Sequence, residues 1–103
     1  MAFTGNENHD IPLSEAAEWT KNYRDANPNE TRAHFFGKEA ILNILNQTTC
    51  VGIRIYYALD ENDQKQLVVV GANAGKNDLY NGILAERSLR CPQDCATASP
   101  LNA

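Results

Sequence analysis

The spacing of apolar residues along the chain shifts from helical to strand-like. A polar leader through His9, Asp10 and Pro12 shows no periodicity, and then Ala16, Trp19, Tyr23 and Ala26 recur at steps of three and four residues. That spacing lines up one face of an α-helix of about three turns. Ser14 stands where an N-cap belongs, and Glu15 and Glu18 follow in the first turns, where carboxylates favour the positive end of the helix dipole. Asn27-Pro28-Asn29 ends the element, because Pro28 restricts the residue before it. A second helix is predicted from about Lys38 to Gln47, with Ile41, Leu42, Ile44 and Leu45 forming a broad apolar face suited to lying over a sheet.

From residue 49 to 59 the period becomes two. Val51, Ile53, Ile55, Tyr57 and Leu59 alternate with Gly52, Arg54, Tyr56 and Ala58, the pattern of a β-strand with one apolar and one mixed face. Asp60 to Asp63 form a turn, and Gln66-Leu67-Val68-Val69-Val70 supplies the returning strand of an antiparallel hairpin with a loop of about five residues. After a turn at 73–78, residues 79–90 suit a strand from about Ile83 to Leu89 better than a short helix, with Gly82 weakening both. The expected fold is α+β: two N-terminal helices packed on a small antiparallel β-meander of two or three strands, followed by an irregular C-terminal arm. One domain is expected over 1–103, comprising the leader at 1–12, a helical part at 13–47, a β part at 49–90 and the arm at 91–103.

Composition adds limits. Of 103 residues 43% are hydrophobic and 21% charged, which supports one globular core and argues against disorder. Nine Lys and Arg against thirteen Asp and Glu leave a net charge of -4, and the basic residues form no stripe, so a nucleic-acid partner is not expected. No apolar run reaches the ~18 residues of a membrane span, and the opening residues lack the pattern of a signal peptide. The expected compartment is the cytoplasm.

In that compartment the three cysteines read as thiols by default, Cys50 as a small apolar residue within its strand and Cys91 with Cys95 as a pair in the arm. Two further readings of the pair stay open. Cys91 and Cys95 are close enough in sequence to form a reversible disulfide, or to share a zinc ion with His34 or Cys50, although structural zinc normally takes four ligands and no second matching pair is present. His34 beside Phe35 and Phe36 also invites a Cys-His nucleophile with Cys50, but no motif or third orienting residue accompanies it. The acidic turn at Asp60 fails as a calcium loop, since its sixth and twelfth positions are Lys65 and Gly71.

The returning strand carries the stronger functional signal. Leu67, Val68, Val69 and Val70 are apolar in succession, so both faces of that strand require cover, and a small sheet leaves edges open to pairing. Arg54 and Tyr56 on the neighbouring strand are residue types enriched in binding hot spots. These five positions, Arg54, Tyr56, Val68, Val69 and Val70, are the candidate interface of a non-enzymatic module that forms a homo-oligomer or binds a protein partner through its sheet. The alternative is a metal-binding or redox-responsive module built on the cysteine pair.

The segments His34-Phe-Phe-Gly37, Cys50-Val-Gly-Ile-Arg-Ile-Tyr-Tyr57 and Ala85-Glu-Arg-Ser88, with the following Cys91-Pro92 and Cys95, together resemble a group of small uncharacterised proteins from Bacteroidota over most of the chain. The resemblance implies a bacterial source and transfers no activity, cofactor or site residue.

Overall fold

The computed structural model describes residues 1–102. The element order is α1 (Leu13–Ala26), β1 (Ala33–Phe35), α2 (Lys38–Leu45), β2 (Cys50–Leu59), β3 (Lys65–Asn73), β4 (Leu84–Ala85), β5 (Leu89–Cys91) and a 3-10 turn at Pro100–Asn102. The fold is α+β, with a three-stranded antiparallel meander in the order β2-β3-β4 and a separate antiparallel pair β1-β5. Tertiary contacts gather the chain into two units: Met1–Glu7 with Phe36–Ser88, and Asn8–Phe35 with Leu89–Ala103.

The first unit holds the meander. Strands β2 and β3 pair from Leu59 opposite Lys65 to Cys50 opposite Asn73, with a bulge between Cys50 and Gly52. The connecting loop is shaped by Asp60, whose carboxylate accepts the amides of Asn62 and Gln64 at 2.8 and 3.0 Å, and by Asp63 at a φ of 60°. An Asx turn of this kind lets an acidic run close the hairpin. Helix α2 packs on the sheet, burying Ile44 completely, while Val69, Val70 and Ala72 of β3 are each no more than 2% exposed. Because β3 lies between two strands and carries apolar residues on both faces, it forms the centre of this unit's core. The Gln47 side chain fastens the end of α2 to the loop before β4: its amide donates to the Ile44 carbonyl at 2.8 Å and its oxygen accepts the Ile83 amide at 2.9 Å. Gly82 allows this, since a Cβ there would overlap the Gln47 side-chain oxygen.

On the opposite face, the leader supplies Phe3. Its amide donates to the Ala74 carbonyl at 3.0 Å, and its ring centroid lies 5.6 Å from the Arg54 guanidinium carbon and 5.7 Å from Lys76 Nζ. Glu7 folds the leader back by accepting the amides of Thr4 and Gly5 at 2.8 and 2.9 Å, and these backbone hydrogen bonds hold its carboxyl at a pKa of about 2.

The second unit is built differently. Helix α1 has no buried residue. It packs on the 3-10 turn, with Arg24 donating to the Leu101 carbonyl at 2.8 Å. Arg32 also donates to the Asn102 side chain at 3.2 Å. The short ladder β1-β5 sets Ala33 opposite Cys91, His34 opposite Arg90 and Phe35 opposite Leu89, and Cys91 is bonded to Cys95 as a disulfide.

Three sequence expectations are corrected here. Helix α1 begins one residue before Ser14, with Pro12 as its cap and no side-chain cap bond; the Ala16 amide bonds to the Pro12 carbonyl instead. Its less exposed face follows Ala16, Thr20 and Arg24, which meets the C-terminal turn, and Trp19 is left 56% exposed. The strand expected over 83–89 is two strands in different sheets, interrupted where Arg87 takes a φ of 58°, a left-handed conformation no strand accommodates.

Candidate functional site

Hairpin alternation decides which backbone groups of β2 are satisfied. The Asp60 amide donates to the Gln64 carbonyl at 3.0 Å, so this pair is hydrogen-bonded. In an antiparallel ladder bonded and non-bonded pairs alternate, which makes Ala58, Tyr56 and Arg54 the residues whose N–H and C=O face β3. The amides and carbonyls of Ile53, Ile55, Tyr57 and Leu59 therefore point to the opposite edge. Strand β3 agrees: its Gly71 carbonyl, of the same parity as Val69, turns away from β2 to accept the Leu79 amide at 2.8 Å. Among the described residues no strand pairs with the outer edge of β2.

The same four residues present apolar side chains. Ile53, Ile55, Tyr57 and Leu59 are 39%, 51%, 95% and 65% exposed. They share the face on which α2 lies, as Gly71 shows: a Cβ there would meet both Cys50 Sγ and Gln47 Nε2 at 3.0 Å, and Gly71 pairs with Ile53. A helix of eight residues covers Val69 and leaves the hairpin's distal half open. Unpaired polar backbone and exposed apolar side chains thus coincide on one edge.

The other face anchors the strand. Asp78 accepts hydrogen bonds from both the Tyr56 hydroxyl and the Arg54 guanidinium, and Arg54 also donates to the Lys76 carbonyl at 3.1 Å. The Tyr56 hydrogen bond, with the Arg54 charge beside it, holds the Asp78 carboxyl below the usual carboxylate value; the hydrogen bonds to Asp78 in turn raise Arg54 and Tyr56. These residues stiffen β2 from the side away from α2.

Of the candidate interface residues, Val69 and Val70 lie in the core of the chain, Val68 is half-buried, and Arg54 and Tyr56 are engaged by Asp78. Both faces of β3 are buried within the chain, and the accessible apolar surface lies one strand over, on β2. Sequence reasoning missed Tyr57, Leu59 and Asp78 as site residues. The signal for the first two was the uninterrupted alternation of 53–59 in a strand with no lysine or proline to protect its edge. The signal for Asp78 was an Arg and a Tyr two residues apart on one strand face, both requiring an acceptor.

The cysteine and histidine candidates are distributed. Cys91, Cys95 and His34 belong to the second unit, where burial and the Arg90 charge push the His34 imidazole's pKa down. Cys50 belongs to the first, half-buried, with its thiol donating to the Gly52 carbonyl at 3.2 Å. Among the described residues no group of three or more His, Cys, Asp or Glu side chains is gathered as a metal would need. An open depression of about 310 Å³ lies between Gln47, Asp78, Tyr80 and Gly82, but its Gln47 amide and Asp78 carboxylate are already spent on internal bonds. Among the described residues no helix is long and apolar enough to cross a membrane.

No protein-family model, curated protein or solved structure matches the chain.

Proposed function

We propose that this protein is a small, non-enzymatic interaction module of the bacterial cytoplasm that works by accepting a β-strand at the open edge of β2. One observation carries the reading: the four residues whose N–H and C=O groups point outward, Ile53, Ile55, Tyr57 and Leu59, are the ones whose apolar side chains stand exposed. Strand addition satisfies both at once, the backbone giving affinity and alternate side chains giving selectivity. The anchor at Asp78 supports it, since a pre-ordered strand loses less entropy on pairing.

A synthetic peptide with the sequence of residues 52–59 tests the reading. Mixed in excess with sub-micromolar chain, it is expected to slow amide hydrogen exchange of the protein's own 53–59 segment, and Tyr57→Lys should abolish the effect. Protection confined to α2 or to the second unit, or no protection at millimolar peptide, would overturn it.

The disulfide favours a second, redox-responsive reading. In a reducing cytoplasm a Cys91-Cys95 bond is a switchable link, and its opening releases the arm beside β5. Alkylation and mass spectrometry of protein from intact cells, with and without reductant, tests it. The reading expects the two thiols to change together with redox state, and thiols alkylated alike under both conditions would sink it.

A further inference from the structure

Two features bound the open edge. At one end the leader crosses it: a Cβ on Gly5, whose φ is 88°, would lie 2.8 Å from the Val51 carbonyl oxygen, so backbone already occupies the space beside Val51. At the other end the Asp60 turn closes the hairpin, its amide committed to Gln64. The usable edge is 53–59, with Tyr56 at its midpoint.

This segment is self-complementary. Two copies of an edge join antiparallel only when residues with outward backbone groups face one another, so odd positions must meet odd positions. With the two-fold axis at Tyr56, Ile53 meets the second copy's Leu59 and Ile55 meets its Tyr57, pairing all four outward residues apolar to apolar. Arg54, the one charged residue of β2, meets Ala58, so no like charges oppose each other. Moving the axis to Ile55 requires Val51 to pair with Leu59, where Gly5 blocks the way. Moving it to Tyr57 sets Ile53 against Glu61 in the turn.

We propose that the strand accepted at this edge is β2 of a second copy of the chain, paired antiparallel about a two-fold axis at Tyr56; this rests on the strand-addition reading above. The two meanders then form one six-stranded sheet, β4-β3-β2-β2-β3-β4, with both copies of α2 on the same face. The interface is isologous and closes at two copies, using up the β2 edge of each.

Cross-linking reads the register. In a Cys50→Ser background, Tyr56→Cys places the two thiols at a non-hydrogen-bonded pair, with Cα atoms about 4.5 Å apart, within disulfide reach. Ala58→Cys places them about 14 Å apart, four strand steps, and beyond it. Mild oxidation is expected to give a covalent dimer from Tyr56→Cys and none from Ala58→Cys, and the reverse result overturns the register. Since Tyr56→Cys removes a bond to Asp78, the native sequence supplies a second measurement. A mixture of isotope-labelled and unlabelled chains should show an intermolecular contact between the two Tyr56 α-protons, and its absence overturns the proposal. A monomeric mass at tens of micromolar, with the peptide still protecting 53–59, defeats the second copy and leaves strand addition standing; failure of the peptide defeats strand addition itself.

Discussion

The two units of this chain reach order by opposite means. The first has a core: Ile44, Val69, Val70 and Ala72 are excluded from solvent, and a central strand is apolar on both faces. The second has a 14-residue helix without a buried residue, a three-residue ladder and a disulfide. Where apolar area is scarce, covalent and polar ties replace it: the Cys91-Cys95 bond, Arg24 to Leu101 and Arg32 to Asn102. The difference also places the open surface. A unit stabilised by its own central strand tolerates an exposed outer strand, and β2 is that strand.

Substitutions in the first unit's core should separate the two most sharply. Val69→Lys buries an unpaired charge at a site 1% exposed. A loss on the order of 4 kcal/mol or more is expected, with exchange protection of β3 collapsing. Ile44→Ala should cost about 2–5 kcal/mol by leaving a cavity under α2, readable in urea melts. An exposed site of the same strand pair behaves differently: Tyr57→Lys, at 95% exposure, should leave the stability of the dissociated chain, measured at sub-micromolar concentration, unchanged.

The disulfide provides the matching test in the second unit. Cys91 and Cys95 are four residues apart. Cys95→Ser is expected to cost about 2 kcal/mol, the loop-closure value for so short a ring. Trp19, the single tryptophan, lies on α1 and reports this loss by fluorescence, while β3 exchange stays as in the native chain. A coincident fall in β3 protection would show that the two units are one cooperative block.

A smaller effect sharpens the account of the first unit. Gln47→Ala removes a side chain that bonds both the Ile44 carbonyl and the Ile83 amide. About 1 kcal/mol should be lost, with faster exchange at Ile83.

Acid should divide the units by pH. The His34 pKa is depressed from its ordinary 6.5, so the fold favours neutral imidazole. Stability from this source is present above pH 6.5 and declines as pH falls through the lowered value, a small change visible at Trp19. Asp78 is depressed from 3.8, so its link to Tyr56 and Arg54 holds above that pH and is lost only as pH falls further. As pH falls below 6.5 but stays above 3.8, the first unit should therefore keep its melting temperature while the second softens, and His34→Gln should remove the second unit's dependence.

Local pattern made most of the elements legible. The two helices, the hairpin and its five-residue loop follow from a 3.6 period, a two-residue period and a turn-forming acidic run, each a property of neighbouring residues. What the pattern lacked was partner choice. Leu89 to Cys91 is a strand because it pairs with Ala33 to Phe35, more than fifty positions earlier, and three residues leave no periodicity to detect. The candidate site was legible to within one strand: the hairpin was identified, but Val69 and Val70 were assigned to an interface when they are core.

From the sequence alone came the alternation of 53–59 and the apolar run 67–70, because these depend on side-chain identity at a fixed spacing. Tertiary structure alone decided which strand is central. Strand β3 acquires neighbours on both sides, a leader residue covers one face of the sheet and a short helix part of the other, and β2 keeps its outer edge unpaired. Burial is a sum over partners distant in the chain, and in two strands of similar apolar content only that sum distinguishes the core from the surface.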